Sequence, residues 1–90
     1  MKTIIVNITS FTRSNGQKGW SFTTGPGAQY LAEILYFSYD GYLVDAYGVH
    51  EIRKSKEDAF SLAKKQIIAG LQYRKENYGE VFDEIRFVNL

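Results

Sequence analysis

Ninety residues with a formal net charge of +1 make one domain, and a chain of this size buries only about 60% of its unfolded surface. A hydrophobic content of 44% is enough to fold and excludes a disordered polypeptide. The absence of cysteine excludes disulfides and thiolate metal sites, and it suits a cytoplasmic protein.

The opening stretch MKTIIVNITSFTR carries a short apolar run interrupted by Asn7 and Thr9. It is too short and too polar for a signal peptide or a membrane span, and it reads as a first strand. Asn15-Gly16 is a two-residue hairpin signal, because a type I′ turn needs positive φ at both central positions. It predicts strands over 3–14 and 17–24. On that register Ile4, Val6 and Ile8 point one way and Phe11, Trp20 and Phe22 the other, which a bulge would have to reconcile. Gly25-Pro26-Gly27 breaks the chain. Asp40-Gly41 repeats the hairpin signal and predicts strands over 29–39 and 42–52.

The period then changes. Ser55 is a helix N-cap with Asp58 three residues on, Phe60, Ala63, Ile67, Leu71 and Tyr78 recur at helical spacing, and Gly79 is a natural stop. A helix over 56–78 follows, in which Gly70 is a weak point costing about 1 kcal/mol against alanine. EVFDEIRFVNL closes the chain as a last strand. The predicted architecture is a single α+β domain over 1–90, in the order ββββαβ. A mostly antiparallel sheet of about five strands packs against one long helix.

Function is carried less plainly. A two-residue turn at Asp40-Gly41 would place Leu31, Leu35, Phe37 and Val44, with Tyr39 and Tyr42, on the face under the helix. Tyr30, Tyr36 and Tyr47 would then share the open face with Asp45 and Glu51. Tyrosine supplies large, stiff, amphipathic contact area. No Lys or Arg occurs between residues 31 and 52, so the face favours a neutral or basic protein surface over a phosphate-bearing partner. The helix has a second apolar side, Leu62, Ala69 and Tyr73, which either beds the helix between the sheet and a flanking hairpin or, as the alternative, forms a homodimer interface.

Chemistry is sparse. His50 is the single histidine, so no nucleophile–base pair or zinc set can use histidine twice. Asp83 and Glu84 alternate faces on a regular strand, and the glycines at 16, 19, 25 and 27 read as turn residues rather than a phosphate cradle. No catalytic residue, metal or cofactor is predicted. Arg53, Lys54 and Lys56 precede or open the helix and Lys64 and Lys65 follow, an arrangement that would answer an anion and defines an alternative RNA- or DNA-binding site. RKSKEDAFSLAKKQ resembles the strand-to-helix junction that ends double-stranded-RNA-binding domains, which implies nucleic-acid contact through the lysines. That family begins with a helix where this chain has a hairpin, so the resemblance stops at about 15 residues. The same junction is similar to that of small antitoxins of the HicB type. The leading expectation is a non-enzymatic protein-binding module. Small inhibitors or adaptors of phages and mobile elements, such as anti-defence proteins, share this size and lack of catalytic residues.

Overall fold

Two chain reversals decide which residues the helix can cover. The computed structural model describes residues 2–24 and 29–89; the predicted Gly25-Pro26-Gly27 break lies outside them. Its elements are β1 (Thr3–Thr12), β2 (Lys18–Thr24), β3 (Gln29–Phe37), β4 (Gly41–Ala46), β5 (Val49–Arg53), α1 (Lys56–Tyr78) and β6 (Glu84–Asn89). They form one sheet in the order β5-β4-β3-β2-β1-β6, with every pair antiparallel except β1 and β6. The α+β architecture is the predicted one, with six strands because the expected strand over 42–52 divides in two.

The first reversal is a three-residue loop. Gly16 N donates to Arg13 O and Arg13 N to Gln17 O, both at 2.9 Å. Gly16 has φ +86°, and the Asn15 side chain accepts from Gln17 N at 3.0 Å. This is a type I turn closed by a glycine bulge. Against a two-residue turn the register slips by one, which exchanges the faces of one strand. Ile8 therefore lies opposite Phe22, and Ser10 opposite Trp20. Ile4, Val6, Ile8, Trp20 and Phe22 all point to the core side, and Phe11 alone of that set points away.

The second reversal also departs from the expected two-residue turn. Phe37 pairs with Gly41 across residues 38–40, and Tyr36 lies opposite Tyr42 instead of Asp45. Gly41 adopts φ +108°, and a Cβ there would stand 2.5 Å from Arg53 O, so only glycine lets β5 approach. The slip is again odd and inverts the predicted faces. Leu35 and Phe37, expected under the helix, are on the opposite face; Tyr36 is on the helix side. Tyr39, also expected in the core, is 96% exposed in the loop. Val44, Leu31 and Tyr42 do pack in or against the core. Leu31 reaches it at a bulge where β2–β3 pairing shifts.

A third turn divides β4 from β5. Tyr47 and Gly48 have φ +46° and +82° between the paired residues Ala46 and Val49, so this is the hairpin with positive φ at both central residues. Tyrosine is an uncommon choice there, which hides the turn from propensity. The Tyr47 ring is held against α1 at Gly70, where an added Cβ would meet its atoms at 2.5–2.7 Å.

The helix has the predicted bounds. Ser55 Oγ accepts from Asp58 N at 3.1 Å, a cap that contributes about 1 kcal/mol, and Gly79 ends α1 in the left-handed conformation. Its buried line is Ala59, Ala63, Ile67 and Leu71, one residue per turn. Phe60 is half-buried, whereas Tyr78, expected on the core line, is 75% exposed. The helix lies against β3, β4 and β5. Phe22, Ile34, Ile67, Leu71, Val6 and Val44 are fully buried, each stabilising the fold by about 1.5–3 kcal/mol. β6 starts later than predicted: the backbones of Lys2 and Asp83 bond at 2.8 Å, the Asp83 carboxylate accepts from Lys2 N at 2.8 Å, and Phe82 is buried just before. No helix among the described residues is long and apolar enough to cross a membrane.

Gly70 is thus the seat of Tyr47 rather than a tolerated weak point. In a double-mutant cycle read by urea unfolding, Gly70→Ala alone should gain nothing or destabilise. In a Tyr47→Asn background it should gain about 1 kcal/mol, the ordinary helix preference for alanine. An equal gain in both backgrounds would show that the ring does not need the glycine.

Candidate functional site

The sheet is six strands wide and carries its helix on one side. Its other side is uncovered by any described element, and the observed registers arrange that side in rows. Phe11 lies opposite Gly19, Gly19 opposite Leu35, Leu35 opposite Leu43, and Leu43 opposite Ile52. This is one apolar row across five strands, extended by Phe37 on β3. Gly19 is where the row is lowest: a Cβ there would meet Ile34 O at 2.5 Å and the Phe11 ring at 2.6 Å. The phenyl ring thus lies on the glycine backbone and fills the gap. Phe37 and Ile52 are 37% and 47% exposed.

The next row is polar: Thr9, Ser21, Glu33, Asp45 and His50 face one another in register. Arg13 ties the two rows together. Its guanidinium sits 5.3 Å from the Phe11 ring centre and pairs with Glu33 at 2.7 Å. Glu33 in turn accepts a hydrogen bond from the Tyr30 hydroxyl. Asp45 is exposed, and among the described residues it has no hydrogen bond or ion pair. Partial burial, the bond to Glu33 and the Glu33 charge, in that order, push the Tyr30 hydroxyl well above the usual phenol range.

The five predicted partner residues divide between the two faces. Tyr30 and Asp45 are on the open face. Tyr36 is on the helix side, its ring 5.0 Å from that of Tyr42. Tyr47 covers Gly70, and Glu51 stands on the helix side of the edge strand β5, 3.5 Å from Arg53. The residues that sequence reasoning left out of the site are Phe11, Leu35, Phe37, Leu43 and Ile52. Their alternation with Glu33 and Asp45 was visible, but assigning it to a face needed the true turn length.

The basic set is also dispersed. Arg53 is paired with Glu51, Lys54 Nζ donates to Asp40 O at 3.2 Å, and Lys65 is exposed on the helix. Lys56 and Lys64 remain together, beside a cleft between the start of α1 and the ends of β1 and β2. Of the predicted dimer residues, Leu62 packs against the core while Ala69 and Tyr73 are exposed, with Tyr73 6.1 Å from the ring of Tyr78. His50 lies opposite Asp45, and no group of three or more metal-ligating side chains occurs among the described residues. The acids at the start of β6 are engaged, Asp83 with Lys2 and Glu84 with Arg86 at 3.0 Å.

No family model matches this chain, and no curated protein or solved structure shows a significant match to it.

The Tyr30–Glu33 pair sets a pH dependence. The folded-state pKa lies above the unfolded value of about 10, so the stabilisation is complete below pH 10 and is lost as pH rises toward the folded value. In an alkaline absorbance titration, one of the seven tyrosines should ionise after the others, and Tyr30→Phe should remove that late step. It should also flatten the loss of stability above pH 10. A late step retained in Tyr30→Phe would assign it to another tyrosine.

Proposed function

We propose that this chain is a non-enzymatic protein-binding module that docks its partner on the helix-free face of the sheet, as a small inhibitor or adaptor would. The observation that carries the reading is the uncovered apolar row from Phe11 to Ile52, bordered by the Glu33–Asp45 row. A contiguous exposed apolar patch with a polar rim is the usual form of a protein contact surface. The row supplies the dry centre, while Tyr30 and the unneutralised Asp45 supply the rim. Because Arg13 already neutralises Glu33, the free charge of the rim is negative at Asp45. The complementary partner therefore presents apolar side chains beside a neutral or basic border.

Phe37→Asp and Ile52→Asp place charges in the row at exposed positions and should leave the circular dichroism spectrum and thermal transition little changed. In affinity capture from the native host extract, read by mass spectrometry, each should remove a protein that the wild-type chain retains. A captured set identical for wild type and both variants would sink the proposal. Light scattering of the purified chain distinguishes a foreign partner from a second copy, since face-to-face self-association would appear as a concentration-dependent dimer.

A further inference from the structure

The helix-side face holds a second feature that the open sheet face does not use. α1 approaches β3, β4 and β5 most closely, and its side chains reach across to β2 and β6, Phe60 to Phe22 and Lys64 to Phe87. At the end of the sheet where the helix begins, helix and sheet separate and leave a cleft of about 560 Å³, within the size range of small-molecule sites.

Its walls combine three kinds of group. Trp20 and Phe60 form an aromatic corner, with ring centres 5.6 Å apart and planes at 73°. Lys56 and Lys64 bring two ammonium groups from the helix. Ser10 and Ser61 contribute hydroxyls. The lysines are held in a particular way: Lys56 Nζ is 4.9 Å from the Trp20 ring centre and Lys64 Nζ 5.5 Å from that of Phe87. Lys56 Nζ is also 5.6 Å from the Phe60 ring centre, so each ammonium itself rests on an aromatic ring and joins no carboxylate. The contrast with the arginines is informative. Arg13, Arg53, Arg74 and Arg86 each pair with a glutamate, whereas neither Lys56 nor Lys64 has an ion pair among the described residues. Glu57 lines the same cleft and offsets one of the two charges, leaving a net positive site.

We infer that this cleft binds a nucleotide unit, its phosphate drawing the Lys56 and Lys64 ammonium groups off their rings and its planar base taking the place of Lys56 against Trp20 and Phe60. A planar ring suits an aromatic corner, stacking there contributes regardless of which base is present, and an ammonium pair with nearby hydroxyls suits phosphate oxygens. The same unit occurs as a free mononucleotide and as the end of a single strand, and the experiment separates the two.

Trp20 is the only tryptophan, so its fluorescence reports occupancy directly. Adenosine monophosphate, uridine monophosphate, adenosine, inorganic phosphate and a short oligothymidylate are titrated in parallel into the full chain. The mononucleotides or the oligonucleotide should change Trp20 emission saturably, and affinity should fall as salt is raised. Adenosine and phosphate should each bind at least about tenfold more weakly, since each lacks one half of the recognised unit. Lys64→Gln and, separately, Lys56→Gln, checked for native circular dichroism, should weaken binding by about tenfold. Response to mononucleotide identifies a free nucleotide, and response to the oligonucleotide only identifies a strand end. No saturable change with either at millimolar concentration overturns the inference. So does affinity for adenosine equal to that for its monophosphate, or unchanged affinity in both lysine variants. Failure here leaves the sheet-face proposal untouched, because Phe37 and Ile52 are on the opposite face.

Discussion

Side chains alternate across a strand, so the length of a hairpin loop decides which of them can be buried together. In this protein the loops at 14–16 and 38–40 set that alternation for four of the six strands. With three residues in the first loop, Ile8 and Phe22 meet on one side, joined by Ala32 and Ala46 along the same row, with Trp20, Ile34 and Val44 in the next row on that side. Ala59, Ala63, Ile67 and Leu71 then have a continuous apolar surface to pack on. A one-residue change at either loop would turn part of that surface outward and bring charged side chains such as Glu33 beneath the helix.

The same registers account for both candidate sites. An antiparallel sheet with one helix leaves a face uncovered, and here that face receives Phe11, Leu35, Leu43 and Ile52 as a row, next to a row of acids and hydroxyls. On the helix side, aromatic residues close to the start of α1 form a chain of contacts: Tyr36 with Tyr42, Tyr42 with Trp20, Trp20 with Phe60, and Phe60 with Phe22. The aromatics near the Asp40-Gly41 turn therefore belong to several places. Tyr42 packs against the core with the exposed Tyr36 beside it, Tyr39 stands in solvent, Phe37 joins the open face, and Tyr47 seals the helix at Gly70.

Charge is handled differently on the two sides. The open face neutralises most of its own charge, with Arg13 committed to Glu33 and Arg86 to Glu84. An apolar row beside a largely satisfied polar row carries little desolvation cost on covering, which suits association with another surface. The cleft keeps two ammonium groups braced on aromatic rings and joined to no carboxylate. Surface ion pairs add little stability, so the difference bears on what each surface can recognise rather than on how firmly the chain folds.

Local chemistry made much of the fold legible. Ser55, Asp58 and Gly79 mark the helix ends because their caps depend only on neighbouring backbone, and the predicted bounds 56–78 are those observed. The strand-rich first half was legible from β-branched and aromatic content. The dipeptides Asn15-Gly16 and Asp40-Gly41 located the chain reversals without fixing their lengths, since glycine serves the two-residue turn and the three-residue loop equally. Tyr47-Gly48 gave no such signal, because tyrosine at positive φ is held there by its ring packing on a helix residue more than 20 positions away. By itself the sequence determined the helix with its caps and the order of the elements, the division of β4 from β5 excepted, all governed by interactions within a few residues. Only the tertiary structure decided which face of each strand is buried, that Gly70 is a seat rather than a weakness, and which of the scattered aromatics and lysines share a site. Those depend on register, and register is settled by the packing of the whole sheet against one helix.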